Sequence, residues 1–163
     1  MNLKKFDLAP FYTIDQEWAV LTAGKENDFN AMTISWGGLG TIWNKPVVTV
    51  YVKPIRYTYE LMEKNEYFTI SFYDEEYRED LNILGSKSGK DLDKVALTKL
   101  TPEFLKETTS FKEAKITIVC KKIYFQDLDI TKVPSYAINR FYNKEPIHRM
   151  YIGEVIDIID RRI

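Results

Sequence analysis

Hydrophobic and polar positions along the chain predict strands first and helices second. Glu17 to Ala23 is short and largely apolar, and the polar cluster Gly24-Lys25-Glu26-Asn27-Asp28 after it reads as a turn. Asn30 to Trp36 resumes an extended pattern: Met32, Ile34 and Trp36 share one side, while Asn30, Thr33 and Ser35 supply polar positions. Val47 to Val52 is β-branched and bounded by Pro46 and Pro54, which makes it the clearest strand. After Pro54 the period becomes helical, with Tyr57, Leu61 and Met62 on one stripe, a Glu60/Lys64 pair, and Asn65 as a stop. Tyr67 to Tyr73 returns to strand character. Asp74 is placed to cap a helix striped by Tyr77, Leu81 and Leu84 and ended by Gly85.

Gly85 to Asp91 reads as a flexible loop leading to a short helix with Leu92, Val95 and Ala96. Ala114 to Phe125 predicts a long strand. Lys132 to Tyr142 predicts a helix broken by Pro134, and His148 to Ile159 a last strand with a bulge at Gly153. Several strands with short helices between them predict a mainly β, largely antiparallel barrel rather than a βαβ succession. No linker or repeat divides the 163 residues, so a single domain over 1–163 is expected.

Composition narrows the chemistry. One cysteine and one histidine leave no disulfide framework and no metal site built on several thiolates or imidazoles. Cys120, in an apolar strand, reads as an inert core residue. Lys+Arg of 23 against Asp+Glu of 24 lacks the basic excess of a nucleic-acid binder. The run Val47 to Val52 is far shorter than the roughly 20 residues of a membrane span. The N-terminal residues Met1 to Pro10 contain no apolar core of a secretory leader, so a cytoplasmic protein is expected. Aromatic content is 14%, which suits strands and cores and also permits the holding of a flat heterocycle.

Two glycine-rich stretches fail as nucleotide loops. Gly37-Gly38-Leu39-Gly40 has Trp43 where a dinucleotide fingerprint needs its third glycine, and a strand follows it. Gly85 to Asp91 is one residue short of a P-loop and ends in Asp91 where Ser or Thr is required. Pro54-Ile55-Arg56-Tyr57-Thr58 sets a guanidinium and a hydroxyl at a helix start, which suits an anion; equally, Thr58 caps the helix and Arg56 is solvated. Asn30 to Trp36 reads either as a polar strand edge lining a heterocycle with Trp36 over one face, or as an ordinary half-exposed strand. His148 is either a proton donor or nicotinamide contact, or an exposed strand-end residue.

Four stretches together resemble the flavin reductase-like, FMN-binding split-barrel family, in its flavoredoxin-type branch. They are Asn30-Ala31-Met32-Thr33-Ile34-Ser35-Trp36-Gly37-Gly38, Val48 to Tyr59, Ser88-Gly89-Lys90-Asp91-Leu92-Asp93-Lys94, and His148 to Glu154, in family order. The resemblance implies a six-stranded antiparallel split barrel that dimerises and binds FMN near the subunit interface. The isoalloxazine would lie along Asn30, Met32, Thr33, Ile34, Ser35 and Trp36, and the phosphate near Arg56 and Thr58. Ser88 and Lys94 would reach the flavin from the loop and short helix; Lys90 stands where relatives often carry arginine. His148 would be the catalytic group, with NADH, NADPH or a protein as electron donor. The expected function is an FMN-dependent oxidoreductase. The alternatives are an electron carrier without NAD(P)H activity, or a split-barrel module for another ligand such as pyridoxal phosphate or haem.

Overall fold

A computed structural model describes residues 5–162. Met1 to Lys4, on which the leader reading partly rests, and Ile163 lie outside the described residues. Among the described residues nine strands form: β1 Ala19–Lys25, β2 Asp28–Ile34, β3 Gly37–Ile42, β4 Lys45–Val52, β5 Tyr67–Phe72, β6 Pro102–Phe104, β7 Thr109–Phe111, β8 Ile116–Asp127 and β9 Arg149–Asp160. The helices are α1 Pro10–Tyr12, α2 Tyr57–Lys64, α3 Arg78–Ser86 and α4 Ser135–Ala137, with short 3₁₀ or π turns beside them. None of these helices is long and apolar enough to cross a membrane.

Seven strands make one antiparallel sheet in the order β2-β1-β5-β8-β9-β4-β3, and β6 and β7 form a separate hairpin. The two edge strands, β2 and β3, are joined by Ser35 and Trp36 alone. Two residues reach only a few ångströms each, so the sheet must curl until its edges meet at that corner. β2 and β3 do not pair there, which leaves the barrel split. The six expected strands are all present. The seventh, β3, is the stretch Gly37-Gly38-Leu39-Gly40 that the sequence pattern leaves outside the strands. Three glycines give it no alternation to read; pairing from Gly37↔Val50 to Ile42↔Lys45 makes it a strand. Its hairpin turns through Trp43 (φ 50°) and Asn44 (φ 60°), the pair of positive φ values that fits a two-residue loop to the twist of the strands.

The curl encloses the larger core, which includes Leu21, Met32, Val50, Phe68, Ile118 and Tyr151. A second core, with Val20, Ala31, Leu81, Leu84 and Phe111, packs on the outer face beneath α3 and the β6–β7 hairpin. Cys120 is fully buried in the first core, and burial pushes its thiol far above the ordinary range, as an inert role requires.

Three expectations about glycine and capping are corrected. α3 runs through Gly85 to Ser86 instead of ending there. A Cβ at Gly85 would lie 3.2 Å from Thr33 Cβ, so this glycine serves the close packing of α3 on β2. Asp74 makes no side-chain cap and precedes a 3₁₀ turn, Glu75–Tyr77. At Gly153 the extra residue is on the partner strand: Lys122 faces Gly153 and Tyr124 faces Ile152, so Ile123 is the bulged residue. Gly153 itself makes room for Phe68, whose Cζ would lie 2.5 Å from a Cβ there. The helix expected from Leu92 is a single 3₁₀ turn, Val95–Leu97. The segment after Pro134 is α4 followed by a π turn, Ile138–Tyr142, in keeping with the predicted break.

Candidate functional site

Two pockets lie at opposite ends of β2. The smaller, about 180 Å³, is closed by the start of α2, the end of α3 and the 86–94 segment, and its walls include Asn30, Arg56, Thr58, Ser88, Gly89 and Lys94. The strand β4 ends before Pro54, and the chain turns so that Arg56 becomes the N-cap residue of α2 without any side-chain capping bond. Arg56 Nη2 instead donates to Gly85 O at 2.9 Å. Thr58 is buried and does not cap; its hydroxyl accepts the Asn30 Nδ2–H at 2.9 Å. Gly89 passes so close to Asn30 that a Cβ would lie 2.1 Å from Asn30 Oδ1, so only glycine allows the 86–94 segment to close on this wall. Ser88 stands exposed at the rim, its Oγ accepting the Lys90 N–H at 3.3 Å. Lys90 is exposed and paired with Glu60.

The charge in this pocket is unusual. Lys94 is 3% exposed, and its ammonium donates to Leu84 O at 2.7 Å and Lys87 O at 3.1 Å. Burial, reinforced by the nearby Arg56 charge, lowers its pKa to about 8. Burial also lowers Arg56, with Glu145 opposing. Among the described residues neither cation forms a salt bridge to a carboxylate. Buried charges are normally paired, so two neighbouring cations that only donate to carbonyls make a site for an anion with several acceptor oxygens.

The larger cavity, about 780 Å³, opens at the β2–β3 corner and is walled by Ser35, Trp36, Gly38 and Leu39, by Tyr51 of β4, by Tyr142 and His148, and by Phe11 and Ile14. His148 sits 5.3 Å from Trp36 between ring centroids, and Phe141 meets Trp36 edge-on at 4.9 Å. His148 Nδ1 is hydrogen-bonded to Tyr142 Oη at 2.6 Å. Burial and the Lys53 charge lower the His148 pKa to about 4, with Glu145 opposing, so the ring is neutral near pH 7. Lys53 holds the segment in place by donating to Phe141 O at 3.0 Å and pairing with Glu145.

β2 connects the two pockets. The five steps from Asn30 to Ser35 span roughly 17 Å at ~3.4 Å each. It is an edge strand, so half of its backbone N–H and C=O groups have no strand partner. Asn30 faces the smaller pocket; Ser35 and Trp36 face the larger. Met32 and Ile34 point into the core, and Thr33 donates its hydroxyl to Leu81 O on α3, so at these three positions the backbone is what a ligand would meet. The structure thus gathers Asn30, Arg56, Thr58, Ser88 and Lys94 at one end and Ser35, Trp36 and His148 at the other. Sequence reasoning missed Tyr51, Tyr142 and Lys53, whose residue types alone carry no signal for a site. It also gave Gly89 no separate role, although a glycine beside Ser88 marks a place of close backbone approach.

Comparison with known proteins follows the same line. The flavin reductase like domain matches residues 11–162. Among solved structures, the chain is similar to flavoredoxin from Methanosarcina acetivorans, at 21% identity and a TM-score of 0.69, over 88% of this chain and 68% of that one. An FMN-binding protein from Thermus thermophilus gives 19% identity and a TM-score of 0.68, over 88% and 70%. The styrene monooxygenase flavin reductase from Pseudomonas putida S12 gives 16% and 0.65, over 88% and 79%. At these identities the likeness is one of fold. No curated protein matches the sequence significantly. The domain match covers nearly the whole curled sheet and both of its end pockets, and on it the chain belongs to the flavin reductase-like family.

Proposed function

We propose that this chain binds FMN and acts as an oxidoreductase of the flavin reductase or flavoredoxin type, taking electrons from NADH, NADPH or a protein donor. One observation carries the reading: two cations without carboxylate partners among the described residues, Arg56 and Lys94, lie at one end of an edge strand whose other end opens into an aromatic-walled cavity. A phosphate at one end and a planar ring at the other is the ligand shape this arrangement suits. The relatives named for FMN and for flavin reduction support it.

Arg56 and Lys94 hold the phosphate, with Ser88 at the rim and Thr58 fixed in place by Asn30. The free edge of β2 offers alternating N–H and C=O groups to the polar rim of the ring, while Trp36 shields a face from water. When bound, FMN supplies a ring that accepts hydride and passes on electrons. Donors close to that ring favour the negative charge it gains on reduction. His148 lines the cavity where an electron donor would lie against the ring.

FMN is favoured over FAD. Beyond the smaller pocket, sharing its Asn30, Gly89 and Lys94 walls, a groove of about 580 Å³ carries Glu26, Asp28, Asp91 and Asp93. Those four carboxylates outnumber Lys90 and Lys94 in the same groove and disfavour the second phosphate of a dinucleotide. Exposed aromatic residues beside the larger cavity, Phe11 at 93% and Trp36 at 41%, support a homodimer in which a second copy covers this side. The test is titration of the purified chain with FMN, FAD and riboflavin. FMN should bind tightest, and equal affinity for all three would remove the phosphate site from the account.

A further inference from the structure

The contact between Tyr142 and His148 has a consequence for the kind of chemistry the cavity offers. Oη and Nδ1 are 2.6 Å apart, so one proton lies between them. If the imidazole donated, the phenol would keep a proton of its own, and no other acceptor lies within hydrogen-bond distance of it among the described residues. If the phenol donates, each group makes its best bond. Burial and the neighbouring Tyr51 raise the phenol above its ordinary range, so it retains its proton. The charged groups around the pair are Lys53, whose ammonium lies 5.4 Å from the Tyr142 ring centroid, Glu145, which Lys53 holds, and Asp15, which lines the same cavity. A second positive charge on the imidazole is disfavoured beside Lys53.

We propose that Tyr142 is a positioning residue that fixes His148 as the tautomer with Nδ1 accepting and Nε2–H free, making His148 a neutral hydrogen-bond donor to the carbonyl or carboxamide oxygen of a planar substrate. The tautomer is independent of the flavin reading above; its part in turnover rests on that reading. A neutral imidazole of this kind polarises an oxygen without giving up its proton. His148 therefore orients the substrate and does not serve as a proton source. The cavity walls agree, since Trp36, Tyr51 and Phe11 present flat surface beside His148, with Ser35 and Asp15 as further polar groups of the lining.

The sequence has a single histidine, so every imidazole ¹⁵N signal of the full-length protein belongs to His148. Long-range ¹H–¹⁵N correlation spectra should show the Nε2-protonated neutral tautomer from pH 5.5 to 8.5, with and without FMN. Tyr142→Phe should give a mixture of tautomers. Reduction of the FMN-loaded protein by NADH should slow roughly 2- to 10-fold in that variant, the loss expected for one neutral hydrogen bond. His148→Gln, which keeps an N–H donor but cannot donate a proton, should retain more of the rate than His148→Ala. An Nδ1-protonated ring, an imidazolium at pH 6, or a tautomer unchanged in Tyr142→Phe would overturn the proposal. So would equal rates for the glutamine and alanine variants. Should Tyr142→Phe fail to fold, the parent spectrum still decides the tautomer. Failure to bind flavin at all would sink the functional reading while leaving the NMR result intact.

Discussion

Replacing Lys94 by methionine removes a buried ammonium while keeping most of its apolar stem, and its effect follows from the surroundings of that ammonium. In the phosphate-free protein burial and Arg56 hold its pKa at about 8, against an ordinary 10.5. The charge of a bound phosphate dianion outweighs both influences and draws the pKa back up. Above pH 8, binding must therefore take up a proton, and affinity falls as pH rises. Between pH 7 and pH 9.5 the protonated fraction of the free lysine drops about 30-fold, so FMN affinity should fall by up to ~30-fold over that range. The phosphate is already largely dianionic at pH 7, so its own titration adds little. Lys94→Met should bind FMN about 10- to 150-fold more weakly at pH 7, the loss of a charge-assisted hydrogen bond worth roughly 1.5–3 kcal/mol. Its affinity should also become nearly flat with pH. Fluorescence titration with FMN and with riboflavin, which lacks the phosphate, reads both effects, and riboflavin should show neither. The variant also strips a donor from Leu84 O and Lys87 O at the end of α3, so its melting curve is needed beside the titration. An FMN affinity independent of pH and of Lys94 in a folded variant would show that this ammonium does not meet the phosphate.

Three further outcomes follow from particular contacts. Arg56→Ala should weaken FMN about 10- to 150-fold in the same titration, again sparing riboflavin, because Nη2 now held by Gly85 O is the second cationic donor of the pocket. Gly153→Ala drives a methyl to within 2.7 Å of both the Phe68 ring and Cys120 Cβ, an overpacking expected to cost roughly 1–3 kcal/mol and lower the melting temperature by about 2–12 °C. Light scattering at micromolar concentration should return twice the 19.2 kDa chain mass; a monomer would contradict the homodimer.

Legibility in the sequence differed by element for physical reasons. β4 and the buried half of β8 announce themselves because β-branched residues fill positions that are buried or half-buried. β3 does not, since its glycines carry no side-chain pattern and its extended form is imposed by β4. Gly85 and Gly153 look like punctuation in one dimension. In three dimensions each is a place where another residue, Thr33 or Phe68, needs the volume of a Cβ. The cationic end of the site was partly legible: Arg56 and Thr58 lie two residues apart at a helix start, while the burial of Lys94 depends on the 86–94 segment folding back against the end of α3. Tyr142 could not be read as a partner of His148, because the π turn and the Lys53 clamp that bring them together have no local signature.

The most direct measurement of the central claim is an absorbance spectrum. The purified protein is incubated with FMN, separated from free flavin by gel filtration, and recorded anaerobically before and after NADH or NADPH. Flavin absorbance should travel with the protein and be bleached by a nicotinamide donor. A protein peak free of flavin would contradict FMN binding, and bound flavin that stays oxidised with both donors would contradict the NAD(P)H reductase.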